Sequence, residues 1–476
     1  MGMNWKRHFV FLLSVAICYV PLFLTFNRGI NYFDEGYILE GARRIVMGEL
    51  PYRDFHFIYT PGTIYFLSLF LRLGGQYIIV ERFAALCMSI IGITFLGLYI
   101  NKLTKNTLLT FFTMFLYVLW GPTHINFVWP IMIVIPLVFL YLYLFHDSHF
   151  FLSGIVMGII LLCKHNFGAA LIFSLICYFV VVKHSRFQIG AIFLGFMSMV
   201  MIFFLQLIAT QSFIPFIADM NRYTIQEVLV RKSLSVPFPM QSIGKFFLYT
   251  FPGIISFILC MVLIIHKRNK ILLFMPFTIF TIYLFGIFPT PDWPHLTPLI
   301  SVTGILLVIF SIILGNRFRF INYIVLTIII GAGIYSATIR NYYRWEAPLI
   351  KHTHCFSSGV MKYICIDEKN YAIITESLTN IKKETIKSSS IFAFYNNPIY
   401  YFLSQKNNPT RFIDFNLPVG QAEESRIINE LQQKKVGIII TRFALPNNQS
   451  RLISKFIIKH YKPIKNTYEF TIWKYK

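Results

Sequence analysis

Apolar residues run along the first two thirds of this chain in long blocks, and polar residues gather in the gaps between them. The blocks centred on 9–26, 83–101, 107–121, 128–145, 151–163, 167–182, 188–209, 244–265, 271–288, 297–315 and 320–338 approach the roughly 20 apolar residues with which a helix crosses hydrocarbon. They predict about eleven transmembrane helices. The stretch Pro61–Leu73 is apolar over only about 13 residues, which is short for a span, so an amphipathic or re-entrant piece is expected there. Beyond Arg340 the pattern changes to short apolar runs alternating with polar, helix-periodic segments. Ser390–Phe394, Arg411–Phe415, Val436–Thr441 and Tyr468–Trp473 read as strands, and 397–404, 420–435 and 449–459 as helices.

The predicted fold class is therefore a polytopic α-helical membrane protein with a small C-terminal α/β exterior domain. Its expected parts are a multispanning region over 1–339, a linker over 340–370 and the α/β domain over 371–476. Composition agrees: 56% hydrophobic and 13% charged residues, with a mean hydropathy of +0.62, exclude soluble, disordered and fibrous classes for a chain of 476 residues.

Charge sets the expected orientation. Lys6/Arg7, Lys102/Lys105, Lys183/Arg186, Lys267/Arg268/Lys270 and Arg317/Arg319 lie in tight loops almost free of acid, which marks the cytoplasmic side. The loop His146–His149 belongs on that side and breaks the pattern. The loop 27–82, the turns 122–127 and 164–166, the loop 210–243 and the turn 289–296 are then expected to share the exterior compartment, and the C-terminal domain with them. The basic N-terminus precedes an apolar run without a small-residue cleavage site, and an uncleaved anchor is expected. A net charge of +23 divides between the two parts of the chain, with 21 Lys plus Arg against 10 acidic residues from 340 onward. Five of the seven Cys lie in or beside apolar runs, whereas Cys355 and Cys365 lie in a polar stretch and can pair in an oxidising compartment.

Candidate chemistry concentrates in the first exterior loop, which carries Asn31-Tyr32-Phe33-Asp34-Glu35-Gly36-Tyr37 and, after a helical stretch ending near Gly48, Arg53-Asp54 and Tyr59-Thr60-Pro61-Gly62. Two readings of Asp34 stay open: an N-cap for the following helix, or a general base at the membrane surface. Adjacent residues do not share a helix face, so Asp34 and Glu35 are not expected to act as a catalytic pair. One carboxylate does chemistry, and the other binds substrate or anchors the loop. Lys164-His165 places a cation at the outer end of an apolar helix, where it reads either as a phosphate ligand or as a snorkelling lysine. Asp292 and His295 lie in a proline-stiffened turn beside Trp293. His352, His354 and Cys355 lack a partner pair at ligand spacing, so no metal site is assigned.

The first-loop motif, with its Ala-Arg helix and the Gly48-Glu49-Leu50-Pro51-Tyr52-Arg53-Asp54 run, resembles the first periplasmic loop of GT-C superfamily glycosyltransferases, in the bacterial branch of protein O-mannosyltransferases and lipid A aminoarabinose transferase. The Lys164-His165 turn, the Asp292–Leu296 turn and the run Pro398–Phe412 are looser likenesses, and His295 stands where many relatives have a lysine. The resemblance implies transfer of a sugar, usually with inversion, from a polyprenyl-phosphate donor to an acceptor hydroxyl on a lipid, glycan or protein at the outer face of a bacterial inner membrane. It implies Asp34 and Glu35 as the catalytic carboxylates, with Arg53, Asp54, Tyr59, Lys164, His165, Asp292 and His295 toward donor phosphate and substrate. No nucleic acid and no fixed cofactor are implied, and a divalent cation stays open. Two other classes are carried: an O-antigen polymerase or ligase using Arg222, Arg231 and Lys232 of the loop 210–243, and a transporter or flippase without chemistry.

Overall fold

The computed structural model describes residues 5–182, 185–230, 254–264, 274, 278–282, 293–314, 319–339, 347–386, 389–394, 397–414, 420–442, 451–466 and 470–476. They form two compact units. The first comprises 1–28, 82–206 and 233–350, and the second comprises 29–81, 207–232 and 351–476.

The first unit is helical. Its helices are α1 (Trp5–Thr25), most of α4 (Ile78–Thr104), α5 (Thr107–Trp120), α6 (Pro130–His146), α7 (Phe150–Cys163), α8 (His165–Val181), α9 (Arg186–Ala209) up to Gln206, and the later helices Trp293–Leu314 and Arg319–Thr338. Among the described residues α1, α4 and α9 carry stretches long and apolar enough to cross a membrane, and shorter apolar helices accompany them. The expected span at 244–265 is described over the apolar helix Ile254–Ile264, and that at 271–288 lies largely outside the described residues.

Helix α5 packs against α1, Trp293–Leu314 and Arg319–Thr338. Asn106 starts it, its Oδ1 accepting the Leu109 amide at 3.1 Å, which fills one of the helix's orphan donors. Small residues bring its neighbours close: the Cβ site of Gly304 faces Leu116, and that of Gly333 faces Trp120. Trp120 Nε1 donates to the Ile329 carbonyl at 2.9 Å. Helix α9 leaves Phe187, Phe193, Leu194, Met201 and Ile202 exposed, an apolar surface that only lipid or another apolar partner accommodates.

The second unit joins the first long loop to the C-terminal part of the chain. The loop contributes α2 (Asp34–Val46) and α3 (Gly62–Gly74), which pack on each other, and residues 207–232 contribute α10 (Phe213–Val230). Helix α3 covers the expected re-entrant stretch and buries one face, with Ile64, Leu67 and Leu71 inward and Leu69 and Leu73 outward. Helix α2 ends where Gly48 adopts φ +94°, a left-handed conformation that costs glycine little. Arg72 of α3 donates to the Ile45 carbonyl at 3.0 Å and satisfies that helix end.

The C-terminal part holds a two-stranded hairpin, β1 (His354–Cys355) and β2 (Cys365–Ile366), closed by a Cys355–Cys365 disulfide. A four-stranded sheet follows in the order β3-β4-β6-β5. Strands β3 (Phe392–Phe394) and β4 (Ile438–Arg442) are parallel, while β6 (Phe470–Tyr475) runs antiparallel to both β4 and β5 (Tyr461–Asn466). Phe392, Phe394, Ile439, Ile427, Leu431 and Ile457 build the core between the sheet and the helices Gln421–Gln433 and Arg451–His460.

Three local readings are corrected. The described part of the run read as a strand at 411–415, residues 411–414, makes a single bridge, Phe412 to His56, rather than a strand: the Arg411 carbonyl accepts the His56 amide and the Phe412 carbonyl accepts from Asn408 and Thr410. Strand β5 was not anticipated: Lys462, Pro463 and Lys465 make it polar, as suits an exposed sheet edge. A long helix, Glu368–Glu384, starts inside the stretch read as linker. Its signals were present, with Asp367 capping the Asn370 amide at 3.2 Å and Lys382/Lys383 in the last turn.

Helix α2 approaches the helix Ile399–Ser404 so closely that a Cβ at Gly36 would lie 2.7 Å from the Ile399 Cα. Gly36→Ala is expected to destabilise the protein by about 1–3 kcal/mol, read as a lower midpoint in detergent-solubilised thermal unfolding. An unchanged midpoint would contradict this packing. Alkylation of the denatured chain is expected to label five cysteines before reduction and seven after it; seven before reduction would contradict the disulfide.

Candidate active site

The segment that carries Asp34 is built by reciprocal hydrogen bonds. Asn31 Oδ1 accepts the amides of Phe33 at 3.0 Å and Asp34 at 2.6 Å, while the Asn31 amide donates to Glu35 Oε2 at 2.7 Å. This is the logic of a capping box: a side chain satisfies the first helical donors, and an acid reaches back to the entering backbone. Of the two readings of Asp34, the N-cap does not hold: Asp34 is the first helical residue, Phe33 stands at the cap position, and the Asn31 side chain supplies the acceptor. The physical reason is spacing, since the Asn31 side chain spans three residues to the first-turn amides. Glu35 is fully buried and serves the backbone, and Asp34 is 9% exposed.

Farther along α2 the acidic and basic residues pair with each other and with distant backbone. Glu40 takes Arg43 through two contacts, 2.8 Å and 3.2 Å, and Arg43 also donates to the Lys406 carbonyl at 2.8 Å. Burial raises the Glu40 pKa, against which the Arg43 guanidinium works. Arg44 donates to Glu49 at 2.6 Å and to the Thr410 carbonyl at 3.0 Å, and stacks over Phe55. Both arginines therefore tie α2 to residues 406–410.

Other predicted residues of this loop are placed as follows. Arg53 donates to both oxygens of Asp54 at 2.9 Å, and this hydrogen bond holds the Asp54 carboxyl below its ordinary pKa. The pair is solvent-facing and adds little stability. The Tyr59 ring packs edge-on against Tyr37 and Phe57, and its carbonyl accepts the Tyr52 hydroxyl at 2.7 Å. Burial raises the Tyr52 pKa well above the ordinary phenol value, so this hydroxyl stays a donor.

A second polar cluster was not anticipated. Asp219 of α10 is buried, with His56 Nδ1 at 3.1 Å and Arg411 Nη2 at 3.1 Å from each carboxylate oxygen. The His56 amide donates to the Arg411 carbonyl at 2.9 Å, and Arg411 also donates to the Tyr52 carbonyl. One turn on, Arg222 pairs with Glu423 and lies over the Phe412 ring at 5.0 Å. Burial lowers its pKa. Arg222 is thus engaged in packing α10; Arg231 and Lys232 lie outside the described residues.

In the first unit, Lys164 is buried between α7 and α8, its ammonium 5.8 Å from the Phe167 ring centre, and His165 opens α8. Asp292 lies outside the described residues, as does the His295 side chain, although the His295 backbone belongs to the helix Trp293–Leu314. Among the described residues no group of three or more His, Cys, Asp or Glu is arranged to hold a metal.

This architecture has counterparts among solved structures. The crystal structure of ArnT from Cupriavidus metallidurans bound to undecaprenyl phosphate matches with a TM-score of 0.59 at 14% identity, covering 99% of this chain and 98% of that one. The apo state of the same protein gives 0.59 at 12% identity, covering 97% of each chain. The Archaeoglobus fulgidus oligosaccharyltransferase, in complex with Zn and sulfate, matches at 0.47 and 9% identity over 95% of this chain and 71% of that one. No protein-family model matches the chain, and no curated protein sequence does. The likeness is one of fold, and the chemistry must be argued from the residues.

The roles of the two first-turn carboxylates separate in a stability measurement. Asn31→Ala and Glu35→Gln each weaken the start of α2, with an expected cost of about 1 kcal/mol and faster amide exchange at residues 33–35. Asp34→Asn leaves this bond set in place, and its exchange is expected to match the wild type. Equal protection in all four proteins would contradict the assignment of the cap to Asn31 and Glu35.

Proposed function

We propose that this membrane protein is a glycosyltransferase that moves a sugar from a polyprenyl-phosphate carrier to an acceptor hydroxyl at the outer face of a bacterial inner membrane. The observation that carries the reading is the fold match over nearly the full length of both chains to a protein crystallised with undecaprenyl phosphate. The early Asp-Glu motif in the first loop supports it independently, as does the apolar surface of α9.

Asp34 is the general base. It takes the acceptor's proton while the acceptor oxygen bonds to the anomeric carbon, and the bond from that carbon to the phosphate oxygen breaks with its electron pair leaving on the polyprenyl phosphate. A single displacement of this kind inverts the anomeric centre. Glu35, committed to the Asn31 amide, anchors the base. Arg53, Lys164 and His295 are assigned to the departing phosphate, where fixed cations lower the barrier as charge accumulates. Asp54, Tyr59, His165 and Asp292 complete the substrate set, and the C-terminal part faces the same exterior compartment. The chemistry needs no nucleotide and no redox cofactor. A divalent cation would act on the phosphate as these cations do.

Purified protein in lipid nanodiscs, given a polyprenyl-phosphate sugar and an envelope acceptor fraction, is expected to release polyprenyl phosphate. Asp34→Asn is expected to slow that release by about 10²–10⁴-fold with donor binding retained. Activity within a few-fold of wild type in a folded Asp34→Asn protein would overturn the assignment.

A further inference from the structure

We infer that the C-terminal segment 365–399 is a positioning element for Asp34, acting chiefly through the Tyr32–Asn370 contact; this rests on the reading of Asp34 as the general base. The chain around Asp34 is held from that segment at three points. Five residues before it, the Gly29 amide donates to the Cys365 carbonyl at 2.9 Å, within the hairpin that the disulfide closes. Two residues before it, the Tyr32 hydroxyl donates to Asn370 Oδ1 at 3.0 Å. Two residues after it, Gly36 lies against the Ile399 backbone with no room for a side chain.

The middle contact is the most directed. Asp367 Oδ2 accepts from Asn370 Nδ2 at 2.7 Å, and its Oδ1 accepts from the Asn370 amide at 3.2 Å. Those bonds fix which end of the Asn370 side chain faces Tyr32: the nitrogen is turned to Asp367 and the oxygen to the phenol. Tyr32 itself is buried, its ring 6.3 Å from that of Tyr400 and its carbonyl accepting the Ile399 amide at 3.4 Å. An acid, an amide and a phenol thus form a fixed relay that ends two residues from the base. Proton abstraction tolerates little displacement, since a shift of about 1 Å at a catalytic group can cost on the order of 10²-fold in rate.

The test is a double-mutant cycle on turnover with the full-length protein in nanodiscs. Tyr32→Phe and Asn370→Leu are each expected to lower kcat about 3–10-fold, what one neutral hydrogen bond supplies, with donor KM unchanged. The double variant is expected to be no slower than the slower single variant, because both remove one shared contact. Tyr32→Phe keeps the buried ring, so it remains informative if Asn370→Leu folds poorly. Wild-type kcat in Tyr32→Phe, or losses that multiply in the double variant, would overturn the positioning role. Asp34→Asn measured alongside separates the two claims: an active Asp34→Asn protein removes the base reading, whereas an inactive one beside a fully active Tyr32→Phe removes only the positioning.

Discussion

The bond set in which Asn31 accepts the amides of Phe33 and Asp34 and donates its own amide to Glu35 is the constraint on which the candidate site depends. A helix beginning at Asp34 has orphan amides that must find acceptors, and two neighbouring carboxylates compete to supply them. Asn31 takes the amides of Phe33 and Asp34, and Glu35 returns to the Asn31 backbone. The amides of Phe33 and Asp34 are thereby satisfied by the Asn31 side chain. Two chemically similar residues are given different work by a difference of one position along the helix.

The second unit extends that constraint outward. Helix α2 is tied to residues 406–410 by Arg43 and Arg44, to α3 by Arg72, and to the 365–399 segment around Tyr32 and Gly36. The Asp219, His56 and Arg411 cluster fastens α10 to the same loop. A long loop of this kind would be a poor support for a catalytic carboxylate if it carried only its own contacts. Its bonds to the sheet-containing part of the same unit supply a rigid frame for that segment.

Much of the helical part was legible because hydrocarbon imposes a strong pattern: blocks of apolar residues with basic, acid-poor loops require few alternatives. The core strands β3, β4 and β6 were legible for a related reason, since buried strands are apolar and β-branched or aromatic. The edge strand β5 was not, because edges select for lysine and proline and so look like loops. In the site, Asn31 stood at cap spacing from the first turn and was readable in principle, but Asp34, an equally good capping residue, masked it. Arg411 and Asp219 lie 192 residues apart in sequence, and no local pattern announces a pair at that separation. The same holds for Tyr32 and Asn370, 338 residues apart.

With Asp34 as the proposed base, the carrier-linked sugar is expected to react beside residue 34. Electron cryo-microscopy of the Asp34→Asn protein in nanodiscs with a polyprenyl-phosphate sugar tests it directly. The expected result is an anomeric carbon facing the start of α2, with space between it and residue 34 for an acceptor hydroxyl. A fully occupied donor whose anomeric carbon lies away from the 31–36 segment would contradict it.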